Sequence, residues 1–294
     1  MDYTTLNNGT RMPQLGFGVF EIKPEETKQA VLDAIKAGYR SIDTARAYFN
    51  ETETGAGINE AISGGLVSRE DLFVTTKVIY NEYGYEQTAA AIDDSLNKLG
   101  LDYIDLYLLH QPYGDVYGSY QALVDAQAAG KIKSIGISNF YPAKFVEFMR
   151  EVELRNWPKP VINQIEFNPL MQQTLAQDWL PKFDVQLEAW APLAEGRDNI
   201  FQNETLQRIG DAHHKSVAQV ILRWITQQGF VTVAKSVNPA HMADNIDVFD
   251  FTLTDDEMAQ IKDLDTNAPS FDHQNPELTN MFYDMVYEVG DYAN

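Results

Sequence analysis

The chain has 294 residues, no cysteine, and 43 acidic against 22 basic residues, for a formal net charge of −21. The missing cysteines exclude disulfides and thiolate metal sites, and a field of that sign repels phosphate backbones and anionic lipid, which argues against nucleic-acid and membrane-surface partners. With 44% apolar and 22% charged residues the composition is that of a globular protein. No apolar run approaches the ~18 residues needed to span a bilayer and no leader is visible at the N-terminus, so a cytoplasmic location is the expectation.

In chain order, Tyr3 to Pro13 holds Asn7-Asn8-Gly9 between residues able to pair, and reads as a hairpin. Leu15 to Phe20 is the first strand of an alternating series. Pro24 opens a helix whose apolar positions Ala30, Val31, Ala34 and Ile35 run up to Gly38. Tyr39 to Thr44 is a strand, Glu51 to Ile62 a helix stopped by Gly64-Gly65, and Leu72 to Val78 a strand rich in β-branched residues. A helix through Ala89, Ile92, Leu96 and Leu99 ends at Gly100, and Ile104 to His110 is the next strand. The alternation continues with helix Tyr120 to Ala129, strand Ile132 to Ser138, helix Ala143 to Val152 and strand Val161 to Ile165. A helix near Leu175 to Leu180, strand Val185 to Trp190, a helix within Gln219 to Thr226 and strand Phe230 to Ala234 follow, before a short helix and an irregular tail.

Eight strands alternating with helices predict a parallel sheet with right-handed crossovers, and eight is a number that closes a barrel. The expected fold is therefore α/β, a (β/α)8 TIM barrel with an N-terminal hairpin and an extended C-terminal tail, one domain over residues 1–294. An open doubly wound sheet is the alternative. It usually carries Gly-x-Gly-x-x-Gly at its first turn, and here Gly16 and Gly18 are followed by Glu21.

In such a barrel the active site lies at the C-terminal ends of the strands. There the second strand delivers Asp43 with Tyr48 just beyond it, the third delivers Lys77, and the fourth His110. A lone strand-end Asp reads as a helix cap and a lone Lys as a solvated tip, but four such groups on three neighbouring strands point to chemistry. A tyrosine of pKa ~10 is a weak acid at neutral pH, and a nearby ammonium lowers that value. Lys77 is the expected ammonium, Asp43 its partner, and His110 a hydrogen-bonding group for a substrate oxygen. His213-His214 read as solvated, and no metal site is expected.

The segment Gly38-Tyr39-Arg40-Ser41-Ile42-Asp43-Thr44-Ala45 with Tyr48 and Glu51, then Leu101-Asp102-Tyr103-Ile104-Asp105 with Leu108-Leu109-His110, then Val233-Ala234-Lys235-Ser236, resemble the three signatures of the aldo-keto reductase family. The likeness runs from about Leu15 to Asp250 and is nearest the bacterial, 2,5-diketo-gluconate-reductase-like members. It implies NADPH-dependent reduction of an aldehyde or ketone, with Tyr48 as proton donor, Lys77 and Asp43 tuning it, and His110 placing the carbonyl. It further implies that Ser138, Asn139 and Gln164 hold the carboxamide, that Trp190 stacks on the nicotinamide, and that Ala191, Pro192 and Leu193 follow the pyrophosphate. Lys235 and Ser236 match the grip on the 2′-phosphate, and Asp244 and Asn245 lie near the adenine. His241 stands where many relatives have arginine and cannot make the same bidentate fork, so NADH is an alternative cofactor. Phe20 and Gln111 fall on the substrate pocket, Gln111 where relatives carry tryptophan. The resemblance also implies a monomer acting on a small carbonyl compound.

Two other readings differ in class. One is a lyase using Lys77 as a Schiff-base amine, which requires a neutral amine beside Asp43. The other is a cofactor-binding member without catalysis. The aromatic tail from Asp265 to Asn294, with Phe271, Phe282, Tyr283 and Tyr287, reads equally as packing on the barrel or as substrate contact.

Overall fold

A computed structural model describes residues 1–284. The chain opens with β1 (Tyr3–Thr5) and β2 (Arg11–Pro13), antiparallel with Thr4 opposite Met12. Gly9 takes φ 84° in the connecting turn, a region closed to most side chains. Asn7 donates its side-chain amide to Pro160 O (3.0 Å) and Asp184 O (2.8 Å), pinning the turn under the strands that follow. Leu6 and Met12 are buried among Phe73, Leu106, Leu108, Val161, Ile162 and Val231, so the hairpin plugs the N-terminal end of what comes next.

That is a closed barrel of eight parallel strands: β3 (Leu15–Gly18), β4 (Ser41–Asp43), β5 (Phe73–Val78), β6 (Ile104–Leu109), β7 (Ile132–Ser138), β8 (Ile162–Glu166), β9 (Gln186–Trp190) and β10 (Val231–Ala234). Sequence neighbours pair throughout, and β10 returns to pair with β3, Thr232 opposite Leu15. Strands read from sequence mostly run one or two residues long at an end, because β-like residues flank the hydrogen-bonded ladder; β7 matches as read, and β8 continues one residue further, to Glu166.

The helices α1 (Pro24–Ala37), α2 (Glu51–Ser63), α3 (Tyr85–Leu99), α4 (Val116–Ala128), α5 (Pro142–Leu154) and α6 (Thr174–Trp179) each follow a strand. Their limits have local causes. Pro24 sits in the first turn of α1 with Glu25 and Glu26 against the helix dipole, and Gly38 ends it at φ 111°. Gly55 of α2 lies so close to α3 that a Cβ there would sit 2.3 Å from Leu99 O. Two helices occupy the interval between β9 and β10: α7 (Glu204–His213), which the sequence reading omits, and α8 (Val217–Gln227). The Ser216–Gln219 capping box starts α8, and its Trp224 stacks on Phe167 at 5.2 Å. The short-helix-plus-tail expectation is also too simple: α9 (Pro239–Ile246), α10 (Asp255–Lys262) and α11 (Pro276–Asp284) close the described chain. His214 is exposed as expected, but His213 is only partly so; its Nε2 is 3.0 Å from Glu257 and its ring packs on Phe251. Among the described residues no helix is long and apolar enough to cross a membrane, and no cluster of three or more metal-ligating side chains occurs.

Candidate active site

Asp43 ends β4 and Lys77 lies one residue inside the end of the neighbouring β5, so parallel pairing alone puts both at the barrel mouth. Lys77 is fully buried, and its Nζ donates to Asp43 Oδ1 at 2.6 Å, Thr44 O at 3.0 Å and the Tyr48 hydroxyl at 3.2 Å. The other Asp43 oxygen accepts from the Gln164 amide at 2.9 Å. Burial drives Lys77 towards the neutral form, yet Asp43 and Tyr48 together, through charge and hydrogen bonds, outweigh it and hold the ammonium above its ordinary pKa.

Tyr48 ends a 3-10 turn, Arg46–Tyr48, and Phe49 at φ 54° turns the chain into α2. Arg46 clamps this turn. Its guanidinium forks onto Glu82 at 2.5 and 2.6 Å and reaches Asp94 at 2.7 Å. Behind it, buried Asn50 accepts from Thr44 and donates to Val19 O and Ile22 O. The Tyr48 phenol stands above its usual pKa because burial outweighs the pull of Lys77, while Asp43 also raises it. This differs from the sequence expectation of a net lowering: the ammonium is there, but burial outweighs it and Asp43 offsets part of its pull.

His110 follows β6 with its ring edge-on to Tyr48 at 5.8 Å. Burial and then the Lys77 charge hold it well below the ordinary histidine pKa, so the imidazole is neutral, and its Nδ1 is buried without a partner among the described residues. The next polar layer is tied together by Asn139, held at φ 63°. Its Nδ2 donates to His110 O (3.0 Å) and its Oδ1 accepts from Trp190 Nε1 (2.9 Å). Ser138 donates to Gln164 O at 2.8 Å, and Gln111 Oε1 accepts from Asn139 at 3.4 Å. The structure thus gathers Asp43, Tyr48, Lys77, His110, Ser138, Asn139, Gln164 and Trp190 at one mouth. Phe20 joins them, half exposed with its ring 5.0 Å from Tyr48.

From Trp190 the chain runs through Ala191, Pro192 and Leu193 into a run of left-handed residues. Lys235 and Ser236 lie beyond the end of β10, Lys235 exposed and without an ion pair among the described residues. The Ser236 hydroxyl accepts from Asn238 N at 3.1 Å at the start of α9, whose His241 and Asp244 are exposed and whose Asn245 is buried. A free ammonium, a hydroxyl and a helix N-terminus make a donor set suited to a phosphate.

Four contributors escape a reading by motif. Arg46 stands inside the Tyr48 segment but clamps rather than reacts. Glu188 lies two residues before Trp190 on β9, so strand alternation alone places it on the same face. Buried Glu166 accepts from Ser270 N at 2.8 and 2.9 Å and so ties the tail to β8. His273, in the tail, is buried with its ring 6.2 Å from Trp190 and 5.6 Å from Tyr141. The tail aromatics pack together: Phe282 meets Tyr80, Tyr113 and Phe271 at 5.8, 5.9 and 5.0 Å, and Tyr113 donates to His273 O. Tyr287 lies outside the described residues.

A sequence profile described as the Aldo/keto reductase family matches residues 9–266. Glyoxal reductase of Bacillus subtilis (strain 168) is 45% identical over 265 residues, covering 90% of this chain and 92% of that protein. Methylglyoxal reductase DkgA of Escherichia coli (strain K12) is 41% identical over 263 residues, 88% of this chain and 92% of that one. Among solved structures, a Bombyx mori aldo-keto reductase in complex with NADP superposes with a TM-score of 0.86 at 36% identity, over 92% of this chain and 95% of that one.

Proposed function

Since the chain belongs to the aldo/keto reductase family, we propose that it reduces the carbonyl of a small aldehyde or ketone, with NADPH as reductant and Tyr48 as proton donor. The observation that carries this reading is the Tyr48 hydroxyl 3.2 Å from an ammonium that is itself 2.6 Å from Asp43. When bound, NADPH supplies the hydride that converts the carbonyl carbon to an alcohol carbon. Ser138, Asn139, Gln164 and Trp190 would hold its nicotinamide end, and Ala191, Pro192 and Leu193 its middle. Lys235, Ser236, His241, Asp244 and Asn245 would hold the adenosine end.

The chain's own residues do the rest. Tyr48 gives its proton to the carbonyl oxygen as negative charge builds there. A phenol is a much stronger acid than an alcohol, so the transfer runs downhill even from a raised pKa. Lys77 stabilises the phenolate left behind, and Asp43 keeps Lys77 charged. Neutral His110 offers an N–H that directs the carbonyl oxygen towards Tyr48. A Schiff-base role for Lys77 is disfavoured by that same Asp43 contact, since the nucleophile must be the free amine. The names of the relatives make glyoxal and methylglyoxal the first substrates to assay. We take residues 1–294 as one barrel domain.

Tyr48→Phe tests this. It removes one oxygen and keeps the ring, so kcat/KM is expected to fall about 10²–10⁴-fold while NADPH still binds, read by fluorescence titration. Near-normal turnover in the variant would refute the assignment.

A further inference from the structure

β9 carries an acid that this scheme leaves idle. Trp190 and Glu188 share a face of the strand, Trp190 at the mouth and Glu188 one layer deeper in the barrel. Glu188 is 0% exposed, and among the described residues neither carboxyl oxygen has a hydrogen-bond partner within 3.5 Å. Its register neighbours are Gln164 on β8 and Val231 on β10. Gln164 gives its amide nitrogen to Asp43 at 2.9 Å and reaches Glu188 only as a weaker, longer contact that lowers its pKa slightly, and the Val231 side chain has nothing to donate. The charged groups that face Glu188 are Asp43 from β4 and Lys77 from β5, and Tyr48 feels its charge from the mouth. Thr75, two residues before Lys77 on β5, also has a buried hydroxyl without a partner.

Two buried carboxyl groups therefore lie in the field of one ammonium, and of the two only Asp43 contacts it. An unpaired buried carboxylate costs several kcal/mol, so one of the two keeps its proton. Asp43 takes both the Lys77 ammonium and the Gln164 amide, which leaves the proton to Glu188.

We propose that Glu188 is a positioning residue for the reaction: its uncharged carboxyl keeps Lys77 and Asp43 a one-to-one ion pair, and its ionisation makes Tyr48 a poorer proton donor. The inference rests on the reading of Tyr48 as donor. A second anion beside Lys77 disfavours the phenolate that Tyr48 becomes, and so raises the barrier to reduction. Burial, with the Asp43 charge behind it, pushes Glu188 up to about 8, against the pull of Lys77. Tyr48 and Lys77 stand above their ordinary values and His110 well below its own; buried Glu51 is raised too, but it lies beside Arg46 and is untouched in E188Q, so a transition near pH 8 that E188Q abolishes is the mark of Glu188.

The test is kcat for carbonyl reduction against pH at saturating NADPH. The wild-type protein is expected to lose at least about fivefold between about pH 7 and 9.5, and E188Q, neutral throughout and nearly the same shape, less than about twofold. An undiminished alkaline limb in E188Q overturns the proposal. A measurement on the wild-type protein covers the case in which E188Q does not fold. In infrared difference spectra of ¹³C-glutamate-labelled protein, a protonated-carboxyl stretch should disappear with a midpoint near pH 8, and its absence at neutral pH also overturns the proposal. Tyr48→Phe separates the two claims. If it keeps turnover, the donor assignment fails whatever Glu188 does. If it loses turnover while E188Q keeps the limb, only the Glu188 role fails.

Discussion

Tyr48, Lys77 and Asp43 show why residue identity and residue acidity are different questions. The sequence supplies a phenol, an amine and a carboxyl at adjacent strand ends, and geometry makes them touch. What the sequence does not reveal is the competition among them. Burial dominates the acidity of Tyr48, and Asp43 offsets part of the Lys77 charge that would acidify it. The phenol therefore stays protonated through neutral pH, which suits a proton donor. The exposed end of the site follows simpler rules. Lys235 has no ion-pair partner among the described residues, so its charge is free to act on a ligand phosphate. Lys235→Ala is expected to weaken NADPH about tenfold or more, the worth of one charge-assisted contact, and to leave NADH nearly unchanged, measured by titration with each cofactor. Equal losses for both would place the phosphate elsewhere.

At the scale of elements, most helices were legible because proline, glycine and acidic first turns mark their limits. The exceptions share a cause. α7, α10 and α11 are short, polar helices stabilised by what they pack on, and α7 ends in two histidines that read as surface. Close helix packing was equally hidden. Gly55 looks like a poor helix residue, yet the Leu99 carbonyl fills the space a Cβ would need. Gly55→Ala gains about 1 kcal/mol of helix propensity and loses about 3 to overpacking. Net destabilisation of about 2 kcal/mol is expected in urea melts; a stabilised variant would show that α2 and α3 can move apart. The tail has its own pH response. Burial lowers His273 from 6.5 to about 4. The docked tail then binds fewer protons than the released one between those values, so docking weakens as pH falls from about 6.5 to 4. Hydrogen-exchange protection over residues 271–284, taken relative to the intrinsic rate at each pH, should fall in that window while that of the barrel strands does not. Unchanged protection at pH 4 would count against it.

On the scale of the whole molecule, the barrel and its active end were readable from strand number and strand-end chemistry, whereas the interior was not. Glu188 is one more acid among 43 until the register places it beneath the site. The net charge of −21 has a kinetic consequence. Its long-range field opposes an anionic cofactor, while Lys235 acts only at contact range. Raising ionic strength from about 0.01 to 0.3 M shortens the Debye length from about 30 Å to below 8 Å and should speed NADPH association several-fold in stopped-flow fluorescence. A slower association would mean that the local cation, not the global charge, steers the encounter.

Thr232 pairs with Leu15, so the first barrel strand must wait for the last. During synthesis the growing sheet keeps two open edges, and no seam can close until the segment around residue 234 has cleared the ribosome. The circle is completed as a late event of the whole polypeptide, and the half-made sheet before it is the form most exposed to sticking to a neighbour.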